Sequence, residues 1–239
     1  MAVLVDTACI SLRTIFMTDL ISAIAVELAK LGHKVTLSDI SSSELEIATE
    51  HARKENAPLE DIFQADARDI SSVFANREKY DIVLLLGPLY HLLQESERLQ
   101  ALEDCMKLTK PRGFIIVSFV TKFAHLRDVV QKDPSRIYKE REFYNKYLLS
   151  GEYTRSQAIV SHHTHPEEIQ QLFEKVSKNG LTVQKTLGCE GFLGGGLSKH
   201  LNGLTTEEYQ AWVDIIMQVA EDPYLLSAAD HIVVVAKRD

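Results

Sequence analysis

The sequence predicts an α/β fold, a doubly wound and mostly parallel sheet with helices on both faces. Three observations carry this expectation. Segments of helical apolar spacing alternate with short strands; strands such as 82–86 (IVLLL) and 114–120 (FIIVSFV) are apolar along their whole length; and Gly32, Pro58 and the KPRG run at 110–113 punctuate the joins. A strand apolar throughout is buried on both faces, which is the habit of parallel sheets covered by crossover helices.

Each element follows from local chemistry. Ile21, Ile24, Ala25 and Leu28 form a helical stripe that stops at Gly32, and KVTLSDI (34–40) then reads as a buried strand. Ser41, Ser42 and Ser43 can cap a helix over 44–55, and DIFQAD (61–66) gives the next strand. After the strand at 82–86 a helix fits 95–108, and KPRG predicts a turn into 114–120. Residues 121–153 are polar and read as helices with loops, while PEEIQQLFEKVSKNG (166–180) has Pro166 in its first turn and Gly180 at its end. Late strands at 181–192 and 230–239 flank a helical segment over 204–220.

Composition narrows the function classes. The chain has 239 residues, 45% hydrophobic and 25% charged, and no repeat or low-complexity linker, so a single domain over 1–239 is expected. Lys and Arg total 26 against 34 Asp and Glu, a net charge of -8 with scattered basic residues, which argues against nucleic acid as a partner. Asp6, Arg13 and Asp19 interrupt the apolar start, so neither a signal peptide nor a membrane span is expected. Cys9, Cys105 and Cys189 are odd in number and far apart, without a C-x-x-C pair, and a reducing cytoplasm is the simplest setting.

In open α/β sheets ligands bind beyond the carboxyl ends of the strands. Asp39 ends the second of these strands; it can accept two hydrogen bonds from a ribose or cap the helix that follows. Asp66 ends the next, where a turn or surface acid is the plain alternative. His162, His163 and His165 are dense, but their spacing does not define a metal set, and no metal is expected. Gly194, Gly195 and Gly196 lack the strand and the Lys-Ser or Lys-Thr of a phosphate loop and read as a flexible loop. Trp212, Ile215, Ile216 and Val219 form a helical stripe expected to be core, and Cys189 reads as a buried thiol.

KLGHKVTLSDIS, FQADARDI, YDIVLLLGPLYHLL and KLTKPRGFIIVSF occur in the order and spacing of a known family. Together with AHLRDVVQKDP, HTHPEEI, CEGF and AEDPYLLSAADHIV they resemble the class I S-adenosylmethionine-dependent methyltransferases, in particular the small-molecule group whose fourth motif reads GPLYHL. KPRG is generic; GPLYHL joined to ADARD and the Asp39 strand is the specific part. The resemblance implies a Rossmann-like methyltransferase that uses S-adenosyl-L-methionine and a small-molecule acceptor. It implies that Asp39 and Ile40 hold the ribose and border the adenine, that Asp66 and Ala67 read the adenine amino group, and that Leu86 and Gly87 lie beside the methionine portion. Tyr90 and His91 would meet the acceptor as catalytic groups; His165 would face the cleft or begin a helix. Segments at about 121–165 and 190–228 would be insertions over the cleft.

One departure stands out. The family carries a glycine-rich loop after the first strand, and counting back from ELAKLG places it at 15–23, IFMTDLISA, with no glycine. Thr18, Leu20 and Ser22 stand where glycines would be, and Phe16 where the strand would end in an acid. Residues 1–22 are therefore expected to be a divergent start lacking the family's closing helices. Either they join an intact family body, or the loop has lost its cofactor contacts; bulk added beside a ligand costs ~1–3 kcal/mol. The alternative function is accordingly a methyltransferase-like binding or regulatory module, or a catalyst of another reaction.

Overall fold

The computed structural model describes residues 2–6, 18–75, 79–156 and 159–239. In chain order its elements are β1 (Ala2–Asp6), α1 (Thr18–Lys30), β2 (Val35–Asp39), α2 (Ser42–Lys54), β3 (Asp61–Gln64), α3 (Ile70–Val73), β4 (Tyr80–Leu85) and α4 (Glu95–Leu108). There follow β5 (Thr109–Val120), α5 (Lys122–Lys132), α6 (Arg136–Lys139), α7 (Arg141–Ser150), β6 (Glu152–Ser156), β7 (Ile159–His162), α8 (Pro166–Ser177), β8 (Leu181–Gly188), α9 (Thr206–Val219) and β9 (His231–Arg238).

One sheet of seven strands, ordered β3-β2-β1-β4-β5-β9-β8, organises the molecule. The pairings from β3 through β5 are parallel, and β9 runs antiparallel between β5 and β8. Apolar strands acquire two covered faces because neighbouring residues point to opposite sides. Val83, Leu85, Ile115 and Val117 pack with Leu102 and Cys105 of α4 and Ile169, Phe173 and Val176 of α8. Leu84, Val35 and Leu37 pack on the other face with Ala25 of α1 and Leu45 and Ala48 of α2. The order reverses at β1 and β4, which lie side by side, so the crevice opens above their carboxyl ends.

Several expectations change. The first strand is Ala2–Asp6, paired in register with both β2 and β4; Phe16 lies outside the described residues. Thr18, Leu20 and Ser22 belong to α1, and buried Ser22 meets His51 Nδ1 through its Oγ at 3.2 Å. The reason is register: AVLVD aligns Asp6 with Asp39, whereas Thr18 to Ala23 form the first turns of the crossover helix. The sequence joining β1 to α1, TACISLRTIFM, still contains no glycine. KPRG does not separate helix from strand but sits within β5 as an irregularity. Tyr80 pairs with Thr109 and Ile82 with Phe114, and Arg112 takes a φ of 65°.

The α9 stripe divides rather than entering the core. Ile216 and Val219 lie over Gly191, but Trp212 and Ile215 are 38% and 46% exposed. Cys189 is exposed rather than buried. The three glycines at 194–196 form a docked turn: Gly195 N–H donates to Asp230 Oδ2 at 2.7 Å. A Cβ at Gly194 would stand 2.0 Å from the Ala228 carbonyl oxygen, so only glycine permits that approach.

Candidate functional site

The crevice is built from strand ends. Asp39 closes β2, is 3% exposed, and its Oδ1 accepts the Ser41 N–H at 2.6 Å. That bond shapes the turn in which Ser41 caps α2 by accepting the Glu44 N–H, so Asp39 braces the cap rather than forming it. Backbone register sets Asp6 beside Asp39, a neighbour that sequence reasoning missed by placing the first strand too late. Ile40 is 36% exposed at the rim, and its carbonyl accepts from Gln64 Nε2 at 3.0 Å.

Asp66 follows β3 and caps the short turn Ala67–Asp69 by accepting the Arg68 N–H at 2.8 Å. The Arg68 guanidinium also grips the carboxylate, Nη2 to Oδ2 at 2.6 Å and Nε to Oδ1 at 3.0 Å, and reaches Glu97 at 2.8 Å. This holds the Asp66 carboxyl below its ordinary pKa. Ala67 is fully buried behind it.

At the end of β4, Leu86 packs against the α1–α2 face and Gly87 adopts φ 143°, ψ -53°, a conformation that side chains exclude. The chain then turns through Pro88–Tyr90, with buried Pro88 and Leu89 fixing the turn to the sheet. This is why an apolar strand breaks there. Tyr90 and His91 emerge half-buried, ring centroids 4.8 Å apart. Burial lowers the His91 pKa, while a hydrogen bond to the backbone of Val160 in β7 opposes that shift. An imidazole donating to a carbonyl through one nitrogen keeps the other as an acceptor.

His165 is not brought to this edge by the same means. Its Nδ1 accepts the Glu167 N–H at 3.3 Å as the cap of α8, and its ring stands 6.0 Å from Phe123. The neighbouring histidines part ways, His162 ending β7 and His163 just past it. His163 meets Tyr147 Oη at 2.8 Å and Ser161 Oγ at 3.0 Å. Because Tyr147 donates to the Lys122 carbonyl at 2.9 Å, His163 Nδ1 carries the proton and Nε2 accepts from Ser161. Burial, aided by His125, pushes the His163 pKa down to about 3. His162 turns toward Glu168, Nε2 to Oε2 at 3.7 Å, and Glu168 Oε1 takes Lys122 Nζ at 2.5 Å. Lys122 lies two residues past the apolar end of β5, a signal that could have singled it out. Among the described residues no three His, Cys, Asp or Glu side chains are grouped to hold a metal ion, and no helix is long and apolar enough to cross a membrane.

This fold is the Rossmann-like one of the methyltransferases. Residues 22–113 match the family model described as a methyltransferase domain. Among solved structures, an S-adenosylmethionine-dependent methyltransferase from Methanosarcina mazei is similar at 15% identity and TM-score 0.57, over 99% of this chain and 92% of that one. The CcbJ methyltransferase from Streptomyces caelestis aligns at 12% identity and TM-score 0.56, over 99% and 82%. The plantazolicin methyltransferase BamL, solved with a triazolic desmethylPZN analog and S-adenosylhomocysteine, aligns at 13% identity and TM-score 0.52, over 99% and 76%. No curated protein matches at a significant level.

Proposed function

We propose that the chain is a class I methyltransferase that moves a methyl group from S-adenosyl-L-methionine to a small-molecule acceptor in the crevice above β1 and β4. The observation that carries this reading is that Asp39, Asp66 and Gly87 stand at or just past the carboxyl ends of three strands in the parallel part of one sheet. The donor set fits the nucleoside. A buried carboxylate at the end of β2 suits a ribose diol, and Ile40 at the rim offers an apolar edge to a purine. When bound, the sulfonium supplies an already activated methyl group, so alignment and exclusion of water remain for the protein.

The residues divide that work. Asp39 and Ile40 hold the nucleoside; Ala67 offers its backbone beside Asp66; Leu86 and Gly87 let the chain lie close to the methionine portion. Asp66 is shared, because Arg68 occupies the carboxylate that would read the adenine amino group. His91, kept neutral by burial and oriented by Val160, accepts a proton from the acceptor, with Tyr90 against its ring. His165 serves α8 and lies outside the chemistry.

S-adenosylhomocysteine should raise the melting temperature, and Asp39→Ala should remove the rise. His91→Ala should leave that rise intact while reducing methyl transfer ~10²- to 10⁴-fold. No rise at millimolar ligand would favour the second reading, a methyltransferase-like binding module, for which the glycine-free joint between β1 and α1 speaks.

A further inference from the structure

The last helix, α9, is 14 residues long and buries none of them. A helix of that length is marginal alone and draws its stability from packing. One edge does pack: Val213, Ile216 and Val219 are half-buried, the last two over Gly191. The neighbouring edge does not. Tyr209, Trp212 and Ile215, spaced three apart and therefore neighbours along the helix surface, are 52%, 38% and 46% exposed. Phe192 extends this strip onto the Gly191–Leu193 turn; its ring centroid stands 6.4 Å from that of Trp212, and it is 37% exposed. Apolar residues exposed singly need no explanation, but two adjoining aromatic rings continued by Ile215 and Tyr209 mark a contact surface.

The charge around the strip is of one sign. From Leu201 to Ala236 the sequence holds six carboxylates, Glu207, Glu208, Asp214, Glu221, Asp222 and Asp230, and no Lys or Arg. Lys185 takes Glu221 and Arg127 takes Asp230. Glu207, Glu208, Asp214 and Asp222 make no ion pair among the described residues, although Glu208 also serves the capping box with Thr205. This sign decides among occupants. A two-fold pairing through α9 would set the same acids against themselves. A helix that lies on a lipid surface carries Lys and Arg on its polar face, and α9 has neither. What complements an apolar strip bordered by acids is an apolar strip bordered by bases.

We infer that α9 and Phe192 form a docking surface for a basic amphipathic helix of a partner protein, whose apolar face covers Tyr209, Trp212 and Ile215 while its Lys and Arg side chains pair with the carboxylates of α9. Trp212, the single tryptophan of the chain, is the anchor of this surface. The carboxylates steer the approach and select the sign of the partner, and the apolar strip sets its helical spacing.

The experiment follows Trp212 fluorescence in the full chain, with tryptophan-free peptides as probes. The first is a Leu–Lys peptide of about 18 residues with its leucines at helical spacing; the others are its scrambled isomer and the Leu–Glu analogue. The Leu–Lys peptide should shift the emission to the blue and bind less tightly as salt is added. The scrambled isomer should bind at least about tenfold more weakly, the worth of one further large apolar side chain buried, and the Leu–Glu analogue should not bind. Ile215→Lys should weaken the Leu–Lys peptide by a similar factor with the melting point kept; if that variant does not fold, Asp214→Lys, which changes only an exposed carboxylate, should weaken it several-fold. An emission that the Leu–Lys peptide does not move, equal binding of the scrambled or Leu–Glu peptide, or parent affinity in these variants would overturn the inference. So would a blue shift that follows protein concentration together with dimerisation in sedimentation, which assigns the surface to a second copy, or one produced by phosphatidylcholine vesicles, which assigns it to lipid.

Discussion

The Lys122–Glu168 pair gives the sharpest stability prediction, because its two halves are unequally buried. The Lys122 side chain is 6% exposed and that of Glu168 35%. In Glu168→Gln the ammonium loses its counter-charge and keeps neutral acceptors alone, the glutamine amide oxygen and the Leu148 carbonyl 3.4 Å away, with its side chain 6% exposed to water. Removing one partner of a buried pair costs roughly 3–5 kcal/mol, and the partial exposure of Glu168 puts this case near ~3 kcal/mol. Lys122→Met leaves a carboxylate that can rehydrate, so its cost should resemble that of a surface pair, ~1 kcal/mol. At 2–4 °C per kcal/mol, melting points should fall about 6–12 °C for the first and about 2–4 °C for the second. Urea unfolding of both variants and the double variant measures this directly. In the Lys122→Met background, Glu168→Gln should cost under ~1 kcal/mol. The reasoning is refuted if Lys122→Met costs as much as Glu168→Gln, or if the two effects add.

Three other outcomes test separate parts of the structure. Gly87→Ala forces a side chain into φ 143° and should cost roughly 1–3 kcal/mol while weakening S-adenosylhomocysteine binding; an unchanged melting point would remove the argument from this turn. His162 and His163 have folded pKa values of about 4 and about 3, below the ordinary 6.5, so the unfolded chain binds protons first. Their stability contribution is complete above that ordinary value and is lost as pH falls toward 4 and then 3. Urea midpoints should fall through this window with a slope of up to ~2 protons, and His163→Asn should remove about one. Arg68→Ala releases Asp66, raising its pKa toward the ordinary value, and should tighten S-adenosylhomocysteine several-fold by calorimetry; unchanged affinity would leave Asp66 as a cap alone.

Local chemistry in the sequence determined the α/β class, most helix and strand positions, and the acids at strand ends. Apolar runs such as IVLLL and FIIVSFV read as buried strands because neither face can be left to water, and Gly-Pro after the first of them marks a break whatever surrounds it. The position of β1 was not legible: AVLVD and the IFM run are both short and apolar, and pairing with β2 and β4 chose between them. Nor could the end of β7 say that His162 would face Glu168 while His163, just past it, faced Tyr147. A helical stripe predicts which side of α9 is apolar, but its partner decides whether that side is covered, and Trp212 and Ile215 remain exposed. Lys122, His162 and Glu168 come from three separate elements, and their meeting is a product of packing. Patterns local in sequence fix elements, whereas long-range contacts fix which charges share a buried space, and only the tertiary structure holds those.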